Sequence, residues 1–234
     1  MRQIDAGLTT TEARAYYDSF GTKQDTQGFY EDPALDDLIA HADFGGARRV
    51  FEFGCGTGKL AARLLAEALP ASASYLGCDV SETMVDLARR RLADFAARAV
   101  VQQTDGAVRF PLADETVDRV VSSYVLDILP ASAIHTTFSE AHRVLQPGGK
   151  LCLVSLTHGV TIPSRLVSTL WTAVFRLSPA RVGGCRPIHL AAYADPAHWR
   201  IAHRRVVTPY GIPSEVLVLD RGEASQRPRA HQAG

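Results

Sequence analysis

Residues 50–60 constrain this chain most: an apolar run, Val50-Phe51-Glu52-Phe53, breaks into glycines at the alternating positions Gly54, Gly56 and Gly58 before Lys59 and Leu60. The pattern predicts a strand, a tight turn and a helix start. Glycine takes backbone conformations closed to other residues and leaves no Cβ between chain and ligand. A large polar ligand is expected against this loop.

From residue 49 the pattern alternates strand and helix, which implies a parallel sheet covered on both faces. Strands are expected at 50–53, 75–80, 99–103, 118–124 and 150–155. Helices are expected at 60–69, at 82–97 behind a Ser81 cap, and at 134–145, the last stopped sharply by Gln146-Pro147-Gly148-Gly149. Ahead of the sheet, a helix from Thr9 to Phe20 opens with Thr-Thr-Thr-Glu, and another runs over 33–43; the polar, aromatic-studded 21–30 links them. Residues 1–45 thus read as an N-terminal helical lid.

After Ser155 the alternation stops, and 157–193 form an insertion on the substrate side. Its stretch 160–177, apolar but interrupted by Pro163, Arg165 and Arg176, reads as a buried or lid helix in preference to one lying on a membrane. Runs at 200–207 and 215–220 read as an antiparallel hairpin closing the sheet. Residues 222–234 are polar and expected to be disordered. The whole is one α/β domain over 1–221, without repeats.

At 234 residues and 46% hydrophobic content the chain has ample material for a core. Lys+Arg and Asp+Glu number 25 each, so no basic excess exists to neutralise a phosphate backbone, and nucleic acid is not an expected partner. Four scattered cysteines with no Cys-x-x-Cys pair suit a reducing cytoplasm. No window has the length of a membrane span, so stable membrane insertion is not expected. A monomer or homodimer acting on a small molecule is the expectation, with no metal site.

Three glycines alone serve nicotinamide, flavin and nucleoside ligands alike. A dinucleotide fingerprint needs glycine where Lys59 stands. Asp79 ends the second strand, where a carboxylate accepts both hydrogens of a ribose diol. Asp105 follows the third strand, suited either to an exocyclic adenine amine or to a strand-end turn.

This arrangement resembles the class I S-adenosylmethionine-dependent methyltransferases through most of 49–155. Glu52-x-Gly54-x-Gly56-x-Gly58 looks like the family's first motif, Asp79 like its ribose-binding acid and Asp105 like its adenine contact. Residues 114–123 resemble its segment through the fourth strand, and Leu145-Gln146-Pro147-Gly148-Gly149-Lys150 the turn before the fifth. The nearest flavour is the small-molecule branch that includes ubiquinone and menaquinone biosynthesis enzymes.

The resemblance implies a Rossmann-like seven-stranded sheet with an antiparallel last strand and S-adenosyl-L-methionine as cofactor, leaving S-adenosyl-L-homocysteine. It places Glu52, Gly54, Cys55 and Gly56 around the methionine and ribose, Asp79 and Val80 at ribose and adenine, and Thr104, Asp105 and Gly106 at the adenine. Met84 packs nearby, and Ser122, Ser123 and Tyr124 line the floor under the sulfonium. The implied reaction is in-line methyl transfer to an O, N, S or C nucleophile of a small, partly apolar acceptor. A non-catalytic binder that keeps the fold as scaffold or sensor is the alternative, and a nucleotide-dependent oxidoreductase loses weight on Lys59 and Asp105.

Carboxyl ends of strands are where open α/β sheets bind ligands. Asp127 and His158 there are the candidates for general-base help. Arg186 and His189 could hold an anionic substrate, and Tyr16, Tyr17, Gln24, Gln27 and Tyr30 could form a lid.

Overall fold

The computed structural model describes residues 9–21, 26–178 and 182–222. Helix α1, Thr10–Phe20, starts at a capping box in which Thr9 and Glu12 satisfy each other's backbone N–H groups. Helix α2, Gly28–His41, begins ahead of the expected start and carries Pro33 inside it. Proline is favoured in a first helical turn, which makes Pro33 a misleading marker. Burial of Tyr30, Ala34 and Leu38 against the sheet holds the earlier turn helical.

The sheet then builds through β1 Arg49–Phe53, α3 Lys59–Arg63 running on as one π-helical turn Leu64–Ala68, β2 Ser74–Asp79, α4 Glu82–Arg91 and β3 Ala99–Gln103. It returns with β4 Val117–Ser123, α5 Ala131–Val144 and β5 Leu145–Leu156. After α6, Ile162–Leu177, come β6 Trp199–Val207 and β7 Ser214–Arg221. The strand order is β3-β2-β1-β4-β5-β7-β6, with β7 antiparallel to both neighbours. The expected seven-stranded sheet with an antiparallel last strand is what the chain forms. Because β1 pairs with β2 on one side and β4 on the other, the order reverses there and a crevice opens beyond their carboxyl ends.

Two cores sandwich the sheet. Val50 joins Leu38, Leu64 and Ala88 on the α2–α4 side, whereas its neighbour Phe51 joins Ile134, Phe138 and Leu217 on the α5 side. This is the period-two alternation of a strand buried on both faces.

Two expectations need correction. Gln146-Pro147-Gly148-Gly149 does not separate helix from strand: β5 starts at Leu145, paired with Val117, and the register shifts across these residues before Lys150 meets Arg119. Gly148, at φ +76°, supplies the left-handed backbone the irregularity needs. Helix α6 is not buried by its apolar face. It buries Ser164, Ser168 and Phe175 and turns Ile162, Leu166, Leu170 and Leu177 outward.

The edge strand β6 is tied to α2 by ions. Asp37 receives His203 Nε2 at 2.7 Å and Arg205 Nη1 at 3.0 Å, while His41 and His203 stack with ring centres 3.7 Å apart. Asp37, His41 and His203 are close enough together to hold a metal ion, but the Arg205 guanidinium already supplies the cation to that carboxylate. Burial by itself raises the Asp37 carboxyl, yet hydrogen bonds from His203 and Arg205 outweigh it and hold its pKa below the ordinary value. A depressed folded-state pKa gives stability above the unfolded value that is lost as pH falls through the folded one. Asp37→Asn should therefore cost about 2 kcal/mol at neutral pH, and the gap to wild type should narrow below the carboxylate range. Thermal unfolding at the two pH values measures both.

Candidate functional site

The loop after β1 is positioned by one carbonyl: Gly54 and Cys55 both donate their N–H to Cys78 O at 2.9 Å. Gly54 sits at φ +75°, and a Cβ there would stand 2.3 Å from Val125 Cγ2. At Gly56, φ +50°, no atom of the described residues beyond its own chain neighbours lies within 4 Å of where a Cβ would be, so its backbone faces open space. Its N–H donates to Asp79 Oδ2 at 2.9 Å, and Ser81 N–H donates to Asp79 Oδ1 at 2.9 Å. Burial raises the Asp79 carboxyl, and the N–H bonds from Ser81 and Gly56 oppose that rise. Each oxygen accepts one of these N–H bonds and keeps further acceptor capacity.

Asp79, Val80, Gly54 and Gly56 line a cleft of about 250 Å³ at the switch point, together with Thr104 and Gly106 after β3. Phe53, Val125, Ile128 and Leu129 make an apolar wall, and Tyr17 and Ala13 of α1 close one side. Seven expected residues thus meet: Gly54, Gly56, Asp79, Val80, Thr104, Gly106 and Tyr17. Asp105 is exposed and lies outside the lining, its Oδ1 accepting Ala107 N–H at 2.9 Å as in a strand-end turn. Met84 is 1% exposed and packed in the core.

A smaller cavity of about 50 Å³ lies at the same glycine loop, lined by Cys55, Glu52, Glu31, Lys59, Ser123 and Tyr124. Glu52 is 1% exposed and accepts Tyr75 Oη–H at 2.6 Å. Burial pushes it up to about 8 against that hydrogen bond, with the Asp79 charge adding to the rise. Burial likewise pushes Glu31 to about 7, opposed by Lys59, whose ammonium donates to Asp32 at 2.7 Å. Glu31 is absent from the sequence-based candidates. Its one signal is an acidic residue next to Tyr30, and a helix expected to start at Pro33 leaves both in the preceding loop, whereas α2 from Gly28 buries them.

Tyr124 donates to Ser214 Oγ at 2.9 Å and meets the Tyr30 ring edge-on. Ser122, fully buried, donates to Phe53 O at 2.9 Å and stitches β4 to β1 outside both cavities. Tyr16 packs edge-on against Tyr17. Gln27 precedes α2 without a side-chain capping bond, and Gln24 lies outside the described residues, as does the expected tail beyond Gly222.

Asp127 sits in the turn Leu126–Ile128, fully buried. Its Oδ2 accepts Leu156 N–H at 3.2 Å, and its Oδ1 has no hydrogen-bond partner among the described residues. Burial pushes its pKa up to about 7, against the Leu156 bond and the Arg186 charge. Arg186, 6% exposed, braces this turn through Asp127 O at 3.2 Å and Leu129 O at 2.6 Å. His158 and His189, ring centres 4.8 Å apart, line a third cavity of about 360 Å³ that includes Arg186 and none of the residues around Asp79. The structure does not bring His158 to the glycine loop.

Residues 50–149 match the model of a methyltransferase domain. A demethylmenaquinone methyltransferase of Symbiobacterium thermophilum is 31% identical over 119 residues, 50% of this chain and 46% of that protein. The tRNA N(3)-methylcytidine methyltransferase Mettl2 of Drosophila melanogaster is 26% identical over 152 residues, covering 60% of this chain and 46% of its own. The chain thus spans about half the length of these curated relatives. A solved geranyl diphosphate C-methyltransferase of Streptomyces coelicolor, in complex with S-adenosyl-L-homocysteine, superposes with a TM-score of 0.64 at 15% identity, over 82% of this chain and 76% of its own. The matched segment holds the glycine loop, nearly all of β1, the whole of β2, β3 and β4 and only the first residues of β5, so residues 50–149 are similar to a methyltransferase domain, on the Rossmann-like sheet of the solved methyltransferases.

Proposed function

We propose that the protein binds S-adenosyl-L-methionine at the carboxyl ends of β1 and β2 and transfers its methyl group to a small, partly apolar acceptor. The observation that carries this reading is the Asp79 carboxylate, fixed by Gly56 and Ser81 N–H groups at the rim of an apolar-walled cleft. Bound there, the cofactor would supply an electrophilic methyl on a sulfonium. The residues fit such a group: the Cβ-free Gly56 admits close approach, and Asp79 retains acceptor capacity for a ribose diol. Val80, Thr104 and Gly106 wall the adenine end.

Glu31, Glu52 and Asp79 set three acids around one loop of a chain with balanced charge. That sign is complementary to the ammonium and sulfonium of the methyl donor. A sulfonium needs little activation, so the protein's share is orientation and exclusion of water. For an acceptor that must lose a proton, the candidate is Asp127, in the turn that carries the cleft residues Ile128 and Leu129 but itself fully buried and outside the cleft lining: its Oδ1 has no partner among the described residues, and burial pushes it up to about 7. Balanced charge favours a small acceptor over an RNA, whose capture draws on surplus lysine and arginine.

Calorimetry tests the donor: S-adenosylhomocysteine should bind and NAD should not, and the reverse would sink the reading. Asp79→Ala should weaken that binding about tenfold or more, since a ribose diol loses a charged acceptor. Because Glu31 and Glu52 are neutral below about 7 and 8 and ionised above, affinity should rise with pH through that window. Glu52→Gln should flatten the rise. A labelled-methyl screen over thiols, phenols, amines and activated carbons identifies the acceptor, and no transfer to any class would favour the non-catalytic binder.

A further inference from the structure

Helix α6 faces the wrong way for a helix of a water-exposed surface. Its inward side is Ser164, Ser168 and Phe175, held by a Thr161–Ser164 capping box, by Gly159 N–H on Ser168 Oγ at 3.1 Å, and by Trp171 Nε1–H on Cys185 O at 2.9 Å. Its outward side shows Ile162, Leu166, Leu170 and Leu177, exposed by 85, 72, 65 and 86%. The turn Pro209–Gly211 touches α6, and there Tyr210 is 81% exposed with its ring 5.6 Å from that of the exposed Phe29. With Val160, this group accounts for seven of the nine large apolar side chains exposed among the described residues. So concentrated a patch marks an interaction surface.

Charge says what covers it. No Asp or Glu occurs from Thr157 to Ala194, a stretch holding Arg165, Arg176, Arg181 and Arg186, although acids and bases balance over the whole chain. Arg165 and Arg176 make no ion pair among the described residues. Beside α6 lies the cavity of about 360 Å³ lined by Thr172, Phe175 and Arg176 of that helix and by Arg186, His158 and His189 opposite, with no acid in its wall. An apolar stripe beside an acid-free basic pocket matches acyl chains beside anionic headgroups. No helix among the described residues is long and apolar enough to cross a membrane, and α6, with 16 residues, is suited to lie in the plane of one.

We propose that α6 docks the protein reversibly on a bilayer surface containing anionic phospholipid, with a phosphate-bearing headgroup in the basic cavity. Phe29, whose ring meets Tyr210 in the same patch, lies two residues before Glu31, which lines the glycine-loop cavity, so the docked face would border the candidate site.

Cosedimentation of the full chain with vesicles tests this. Vesicles of phosphatidylcholine doped with phosphatidylglycerol should retain the protein about tenfold more strongly than phosphatidylcholine alone, and raised salt should weaken retention. Leu166→Glu with Leu170→Glu should abolish binding, and Arg176→Gln should weaken it several-fold, with unchanged thermal unfolding showing that both variants fold. Equal retention on both vesicle types, or retention that survives the double substitution, overturns the proposal. So does a wild-type dimer that ignores vesicles and dissociates in the double variant, which would assign the patch to a second copy of the chain.

Discussion

The Cys78 carbonyl, accepting two successive N–H groups from Gly54 and Cys55, fixes the glycine loop to the end of β2. Much of the site follows from that junction. It sets Gly56 where its N–H reaches the carboxylate of the very next residue on β2, Asp79. A carboxylate so held cannot swing into the cleft wall, and its orientation is settled before any ligand arrives. This is preorganisation in the literal sense: the ordering cost is met during folding.

The same junction divides two electrostatic environments. The cleft at Asp79 has an apolar wall built by Val125, Ile128 and Leu129, whereas the small cavity at Cys55 gathers Glu31 and Glu52. Burial raises both glutamates, so near neutrality each is poised between charge states. A cationic ligand group would pull both toward ionisation, and a neutral one would pull less.

Legibility in the sequence followed the range of the physics involved. Glycine backbone preference, strand alternation and an acid at a strand end are local, and they located β1, β2, β3, the glycine loop and Asp79. Ser122 and Met84, expected at the cofactor, are buried in packing in the structure, because whether a side chain at a strand end meets a cavity depends on its neighbours across the sheet. Glu31 is not legible in the sequence for a tertiary reason: α2 is helical ahead of Pro33 where Tyr30 is buried and packs against Tyr124. His158 and Asp127 are alike in sequence as residues after strands, yet His158 lines the cavity beside α6, whereas Asp127 is fully buried in the turn that Arg186 braces and lines none of the three cavities.

Helix α6 shows the limit of hydropathy most sharply. Its pattern of apolar residues at helical spacing is the same whether the stripe faces a core or a membrane, and the ordinary prior favours the core. What distinguishes the cases lies on the other face: serines small enough to seat against the body, and a capping box that fixes which side turns inward. The missing acids of residues 157–194 carry the same information at the level of charge. A chain neutral overall has thus sorted its ions, with carboxylates around the glycine loop and guanidiniums around α6. Neither net charge nor mean hydropathy reports that separation, and both halves of the functional reading depend on it.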